Sequence, residues 1–163
     1  MKKLSLKELT VLSLFGALMF ALKVAMEILP NIEPVSLLLM VFAYRFRLKA
    51  LIPAYIFVGL DLLLHGFNVW NIMYLYVWAI LVLAVLPFKS IRKGWFFAIL
   101  SGVYGLLFGV LCSIPFFVAF GHEFAFSWIL SGLTFDLLHC FGNFVLAFLL
   151  YIPLTNVLEK IKM

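Results

Sequence analysis

Apolar residues run along this chain in long blocks, each closed by a short polar or basic connection, and the blocks predict helices. Helix 1 is expected from about Glu8 to Leu29, stopping at Pro30, and helix 2 from Pro34 to about Tyr44, short for a full crossing. Helix 3 covers Ala50 to His65, with Pro53 in its first turn where a missing N–H is tolerated. Helix 4 runs from Asn71 to Pro87 and helix 5 from Trp95 to about Phe120. Helix 6 covers Leu130 to Pro153, with Ala125 to Leu130 either a short lid or its start. At roughly 20 residues per crossing, the expectation is an all-α integral membrane protein: one domain over residues 1–163, a compact bundle of six transmembrane helices.

Composition sharpens this picture. The chain is 67% hydrophobic and its mean hydropathy is +1.22, which excludes an ordinary soluble domain. The first block lacks an A-x-A exit and reads as a retained helix rather than a cleaved signal. The net charge of +5 is not a nucleic-acid patch, because of where the basic residues fall. Lys2, Lys3 and Lys7 precede helix 1; Arg45, Arg47 and Lys49 follow helix 2; Lys89, Arg92 and Lys93 follow helix 4; Lys160 and Lys162 close the chain. Every Lys and Arg except Lys23 therefore sits in alternate connections, the positive-inside pattern with N and C termini cytoplasmic.

Polar residues inside the apolar blocks are the candidate chemistry. In helix 6, Asp136, His139, Cys140 and Asn143 stand at i, i+3, i+4 and i+7, so a helix puts them on one face, extended by the small residues Gly132 and Ala147. An ionised Asp near the bilayer centre costs about 2.5–3.5 kcal/mol, so the stripe faces protein or a wet cavity. It reads either as interhelical glue or as a ligand-facing surface. Counted at ~1.5 Å per residue, Asp136 lies near the outer surface, in one layer with Lys23, Glu27, Asp61 and His65. Lys23 and Glu27, four apart, can simply neutralise each other. Asn71, Tyr74 and Trp78 share a face of helix 4, and their grouping suits stacking and edge-bonding of a small heterocycle; an interfacial aromatic belt is the plainer account of Trp70 and Tyr76. Asn31 and Glu33 sit in the first outer connection. Ala17, Ala21 and Ala25 make a small-xxx-small series in helix 1, for internal packing or for docking a partner. Cys112 and Cys140 have no redox or metal spacing and read as small core residues.

Polar chemistry is thus confined to the outer half, which weighs against a channel or proton relay with stations through both halves. No repeats suggest a secondary transporter, and no phosphate-binding loop suggests an ATPase.

Together the six spans, the Ala17/Ala21/Ala25 series, the Leu29–Ser36 segment and the closing run from Gly132 to Asn143 with Tyr151-Ile-Pro153 resemble the substrate-binding S component of energy-coupling factor (ECF) transporters. The resemblance covers essentially the whole chain. It implies a high-affinity vitamin-binding subunit of a prokaryotic plasma membrane, with no catalysis, cofactor or metal of its own. It also implies partnership with a transmembrane coupling protein and two cytoplasmic ATPases. Ala17, Ala21 and Ala25 would then contact the coupling protein, while Asn71, Tyr74, Trp78, Asp136, His139 and Asn143 build the pocket and Asn31 and Glu33 close over it. Asp61 and His65 join that outer-layer substrate site. The mixture of acids, imidazoles, amides and aromatics suits a small polar ring such as pyridoxine or the hydroxymethyl pyrimidine precursor of thiamin. The alternatives are a polytopic membrane enzyme using Asp136 and His139 as an acid–base pair, a haem or metal protein built on His65, His122 and His139, and a structural subunit.

Overall fold

The computed structural model describes residues 4–29 and 32–161. Among them every regular element is helical. Four helical runs are long and apolar enough to cross a membrane: Leu6–Ala25, Val35–His65, Val69–Phe88 and His122–Glu159. The pair Gly94–Leu106 and Phe108–Phe120, bent by 44°, makes a fifth if it is one span. The difference from six lies in Val35–His65. There helices 2 and 3 form one helical run: α2 (Val35–Phe46), a 3-10 turn (Arg47–Ala50) and α3 (Leu51–His65). The irregularity inside the run is Arg47, at φ 57°.

Local chemistry sets the other boundaries. Ser5 caps α1 (Leu6–Ala25): its hydroxyl accepts from the Glu8 N–H, and the Glu8 carboxylate accepts from the Ser5 N–H. The helix ends at Ala25 rather than Leu29, because the chain beyond it tightens into i→i+3 bonds, such as Leu29 N–H to Met26 O at 2.8 Å. Gly66, at φ 70°, stops α3. Asn68 and Asn71 make a second reciprocal cap at the start of α4 (Val69–Val85), which a 3-10 turn over Leu86–Phe88 continues.

Helix 5 is divided into α5 (Gly94–Leu106), α6 (Phe108–Cys112) and α7 (Ile114–Phe120). Pro115 has no N–H, so the Leu111 carbonyl loses its helical donor. The Tyr76 hydroxyl supplies the missing bond at 2.8 Å. Helix 6 is α8 (His122–Glu159), 38 residues long. The expected connection of Gly121 to Phe124 shrinks to Gly121 at φ 84°, Ala125 to Leu130 are helical, and the helix passes Pro153. At ~1.5 Å per residue it is about 57 Å long, well beyond a ~30 Å hydrocarbon core.

Packing follows the small and apolar faces. Residues Val35 to Ala43 of α2 are buried without exception, as expected of a helix that is hydrophobic all round. α1 and α3 run parallel: Glu8 pairs with Lys49 at 2.6 Å, Gly16 lies against Ile56, and Lys23 pairs with Asp61 at 3.4 Å. α5 and α6 run antiparallel to α8, Gly94 against Ile152, Gly102 against Cys140 and Phe144, Gly105 against His139 and, from α6, Gly109 against Asp136. At the basic end, Arg45 donates to the carbonyls of Leu158 and Ile161, at 3.2 and 3.1 Å, and Arg92 pairs with Glu159 at 3.2 Å. Large apolar side chains such as Leu14, Val118 and Leu149 remain exposed, as expected of helices long and apolar enough to cross a membrane.

Candidate functional site

At the end opposite the Glu8–Lys49 contact the helices part around a cavity of about 610 Å³, within the ~300–1,000 Å³ range of small-molecule sites. Its two sides are built differently.

One side is a charge cluster carried by α1, the turn after it and α3. Lys23 Nζ reaches Glu27 Oε1 at 3.2 Å and Asp61 Oδ1 at 3.4 Å. His65 Nδ1 lies 3.2 Å from Asp61 Oδ1, and its Nε2 lies 3.6 Å from Glu27 Oε1. The four residues close a ring because Asp61 and His65 are one helical turn apart, facing the parallel α1. Hydrogen bonding from Lys23 holds the Glu27 carboxyl below its usual range. Glu33, half-buried just before α2, is pushed up to about 7: burial raises it, nearby Lys23 pulls it down and nearby Asp61 raises it further.

The other side is α8 packed on the glycines of α5 and α6. Asp136 Oδ1 accepts from the Gly109 N–H at 2.9 Å. A side chain at Gly109 would collide with that carboxylate, and one at Gly105 would meet the His139 carbonyl at 2.8 Å. His139, 3% exposed, stands edge-on to Phe108 with ring centroids 4.8 Å apart. Its Nε2 has no hydrogen-bond partner among the described residues. Aromatic rings complete the wall: Trp70 lies 5.9 Å from Trp128 and 6.4 Å from Tyr74, and Tyr74 stacks on Phe57 at 6.0 Å.

Of the residues singled out from sequence, Glu33, Asp61, His65, Tyr74, Asp136 and His139 line this cavity together. Asn71, Trp78 and Asn143 do not. Asn71 is spent on the α4 cap, its Oδ1 accepting from the Asn68 N–H at 2.7 Å. Trp78 is core, 1% exposed, wedged among Phe57, Tyr74, Tyr104 and Phe108. Asn143 lies deeper on α8, where its amide donates to Ser101 O at 3.4 Å; it joins α8 to α5. Asn31 lies outside the described residues.

Sequence reasoning left out Phe108, Gly109 and Trp128 and set Trp70 down to an interfacial belt; all four are in the walls. The α5/α6 bend turns Phe108 and Gly109 inward, and nothing in the local pattern signals it. Lys23 pairs with Glu27 as read from the sequence and also bridges to Asp61. Ala17, Ala21 and Ala25 are exposed, and the internal face of α1 is Leu12, Gly16 and Met19. The Ala series therefore does not pack inside the bundle.

His122 begins α8 and borders a separate apolar groove with Phe117 and Phe126, away from His65 and His139. Among the described residues no group of three or more His, Cys, Asp or Glu is arranged to hold a metal. The cavity offers hydrogen-bonding and stacking groups for a small molecule. No family model matches the chain, and no curated protein or solved structure shows significant similarity to it.

Proposed function

We propose that the protein is a membrane-embedded binding subunit of the ECF S-component type, capturing a vitamin or vitamin precursor from outside the cell. The supporting observation is a charged, aromatic-walled cavity of about 610 Å³ at one end of a bundle in which, among the described residues, the buried carboxyl and imidazole side chains Asp61, Asp136 and His139 all line that cavity. On this reading the chain crosses the bilayer six times, with α2 and α3 as separate crossings turned at Arg47. The parallel packing of α1 and α3 supports it, since the chain must return between them. Both termini then lie on the cytoplasmic side with the basic connections, as the positive-inside pattern requires.

The cargo is a small polar ring of the size of pyridoxine or hydroxymethyl pyrimidine, and delivery depends on a transmembrane coupling protein and two ATPases. The exposed Ala17, Ala21 and Ala25 form the docking stripe, where small residues let another helix approach closely.

Two measurements test the reading. Calorimetric titration of the purified protein with a vitamin panel should give saturable binding of one member at submicromolar concentration. Ala21→Trp should abolish co-purification with a coupling protein while leaving that binding intact. Co-purification that survives Ala21→Trp, together with no binding of any member of the panel, ends the proposal.

A further inference from the structure

The walls of the cavity carry four carboxylates, Glu27, Glu33, Asp61 and Asp136, but a single ammonium, Lys23. Lys23 is already engaged by Glu27 and Asp61, at 3.2 and 3.4 Å. An anionic ligand entering the cavity therefore finds no uncommitted cation among the described lining residues. Asp136 is in the opposite condition. It is 6% exposed, one oxygen accepts the Gly109 N–H, and it makes no ion pair among the described residues. A desolvated carboxylate is costly unless a positive group joins it. Beside it His139, 3% exposed, lines the same cavity, and its buried Nε2 has no hydrogen-bond partner among the described residues. Trp70, Tyr74, Phe108 and Trp128 line the same cavity, an electron-rich wall of the type on which a desolvated cation gains most.

We infer that the cavity selects a ligand bearing a cationic nitrogen, with Asp136 as counter-charge, the aromatic wall against the face of the cation, and His139 Nε2 bonded to a polar substituent. This rests on the small-molecule-binding reading above and names the charge class of its cargo. The charged groups of Lys23, Glu27, Asp61 and His65 are committed to one another, so that cluster shapes its side of the cavity and leaves discrimination to Asp136.

Three compounds that share one pyridine ring and differ in charge make the test: 1-methylnicotinamide (cation), nicotinamide (neutral) and nicotinate (anion), titrated against the full chain in nanodiscs. The cation should bind about tenfold or more tighter than the neutral compound, as a desolvated cation–π and ion-pair contribution implies. Asp136→Asn, which keeps an acceptor for Gly109, should erase that preference without abolishing binding of the neutral ring. Tighter binding by nicotinamide or nicotinate overturns the charge assignment and leaves the binding reading standing. A preference that survives in Asp136→Asn overturns the role of Asp136. If none of the three binds, mass spectrometry of small molecules released from the purified protein decides: a fixed or protonated nitrogen cation supports the inference, and a neutral or anionic compound overturns it. Finding no small molecule by either route overturns the inference together with the binding reading.

Discussion

The two sides of the cavity hold charge in opposite ways. Between α1 and α3, Lys23, Glu27, Asp61 and His65 satisfy one another within 3.2–3.6 Å. On α8, Asp136 has a backbone N–H and no counter-ion among the described residues. Charges that satisfy one another hold a wall in place, and removing one partner strands the rest. A buried carboxylate without a cation does not help to hold the fold together and is free to discriminate among ligands. The two walls therefore divide stability from recognition, and substitutions should separate them.

The largest effect is expected at Lys23. Its side chain is 15% exposed and that of Asp61 is 6%, so Lys23→Met leaves a buried carboxylate without its cation and should cost about 3 kcal/mol in denaturant unfolding. A loss well under 1 kcal/mol would show that the ring does not hold the wall.

Gly105→Val comes next. The new Cβ would lie 2.8 Å from the His139 carbonyl, and forcing α5 from α8 should cost about 1–3 kcal/mol and weaken ligand binding, because Asp136 and His139 move with the helix. Unchanged melting would mean the close helix contact is not needed.

Glu33 sharpens the comparison through pH. Its carboxyl lies at about 7 against an ordinary value of 4.5, so the folded state favours the neutral form. That contribution is fully present below about pH 4.5 and is lost as pH rises through about 7; part-exposure limits it to about 1–2 kcal/mol. Melting temperature should fall across this window in the natural protein and stay flatter in Glu33→Gln. Parallel curves would contradict the burial of the carboxyl.

Glu27→Gln should change melting less than any of these, and added salt should erase the difference, since half of the Glu27 side chain is exposed. Smallest of all is Asp136→Asn, which keeps an acceptor for the Gly109 N–H and has no ion pair to lose. Its melting should equal or exceed that of the natural protein, since a desolvated charge is removed, and a loss as large as that of Lys23→Met would erase the distinction between the walls.

Much of this was legible from periodicity. The apolar blocks placed most helix interiors, and the stripe from Asp136 to His139 was visible because i, i+3 spacing on a helix is purely local geometry. Asp61 and His65, four apart, were readable for the same reason. Helix ends were less legible. Nothing in the sequence pattern signalled that α8 would begin at His122, or that helix 5 would bend between Leu106 and Phe108.

What the sequence determined by itself was a highly apolar helical chain with the ionisable groups of its apolar blocks gathered towards one end and its basic connections at the other, because hydrophobic period and charge placement are properties of each segment alone. Only the tertiary structure decided which polar groups meet. It brought Lys23 to Asp61 across 38 positions and Gly109 to Asp136 across 27. It also withdrew Asn71 into a cap, Trp78 into the core and Asn143 into a contact between α8 and α5. Those outcomes depend on how close two helices can approach, and that distance is set by glycines and bends on both partners at once.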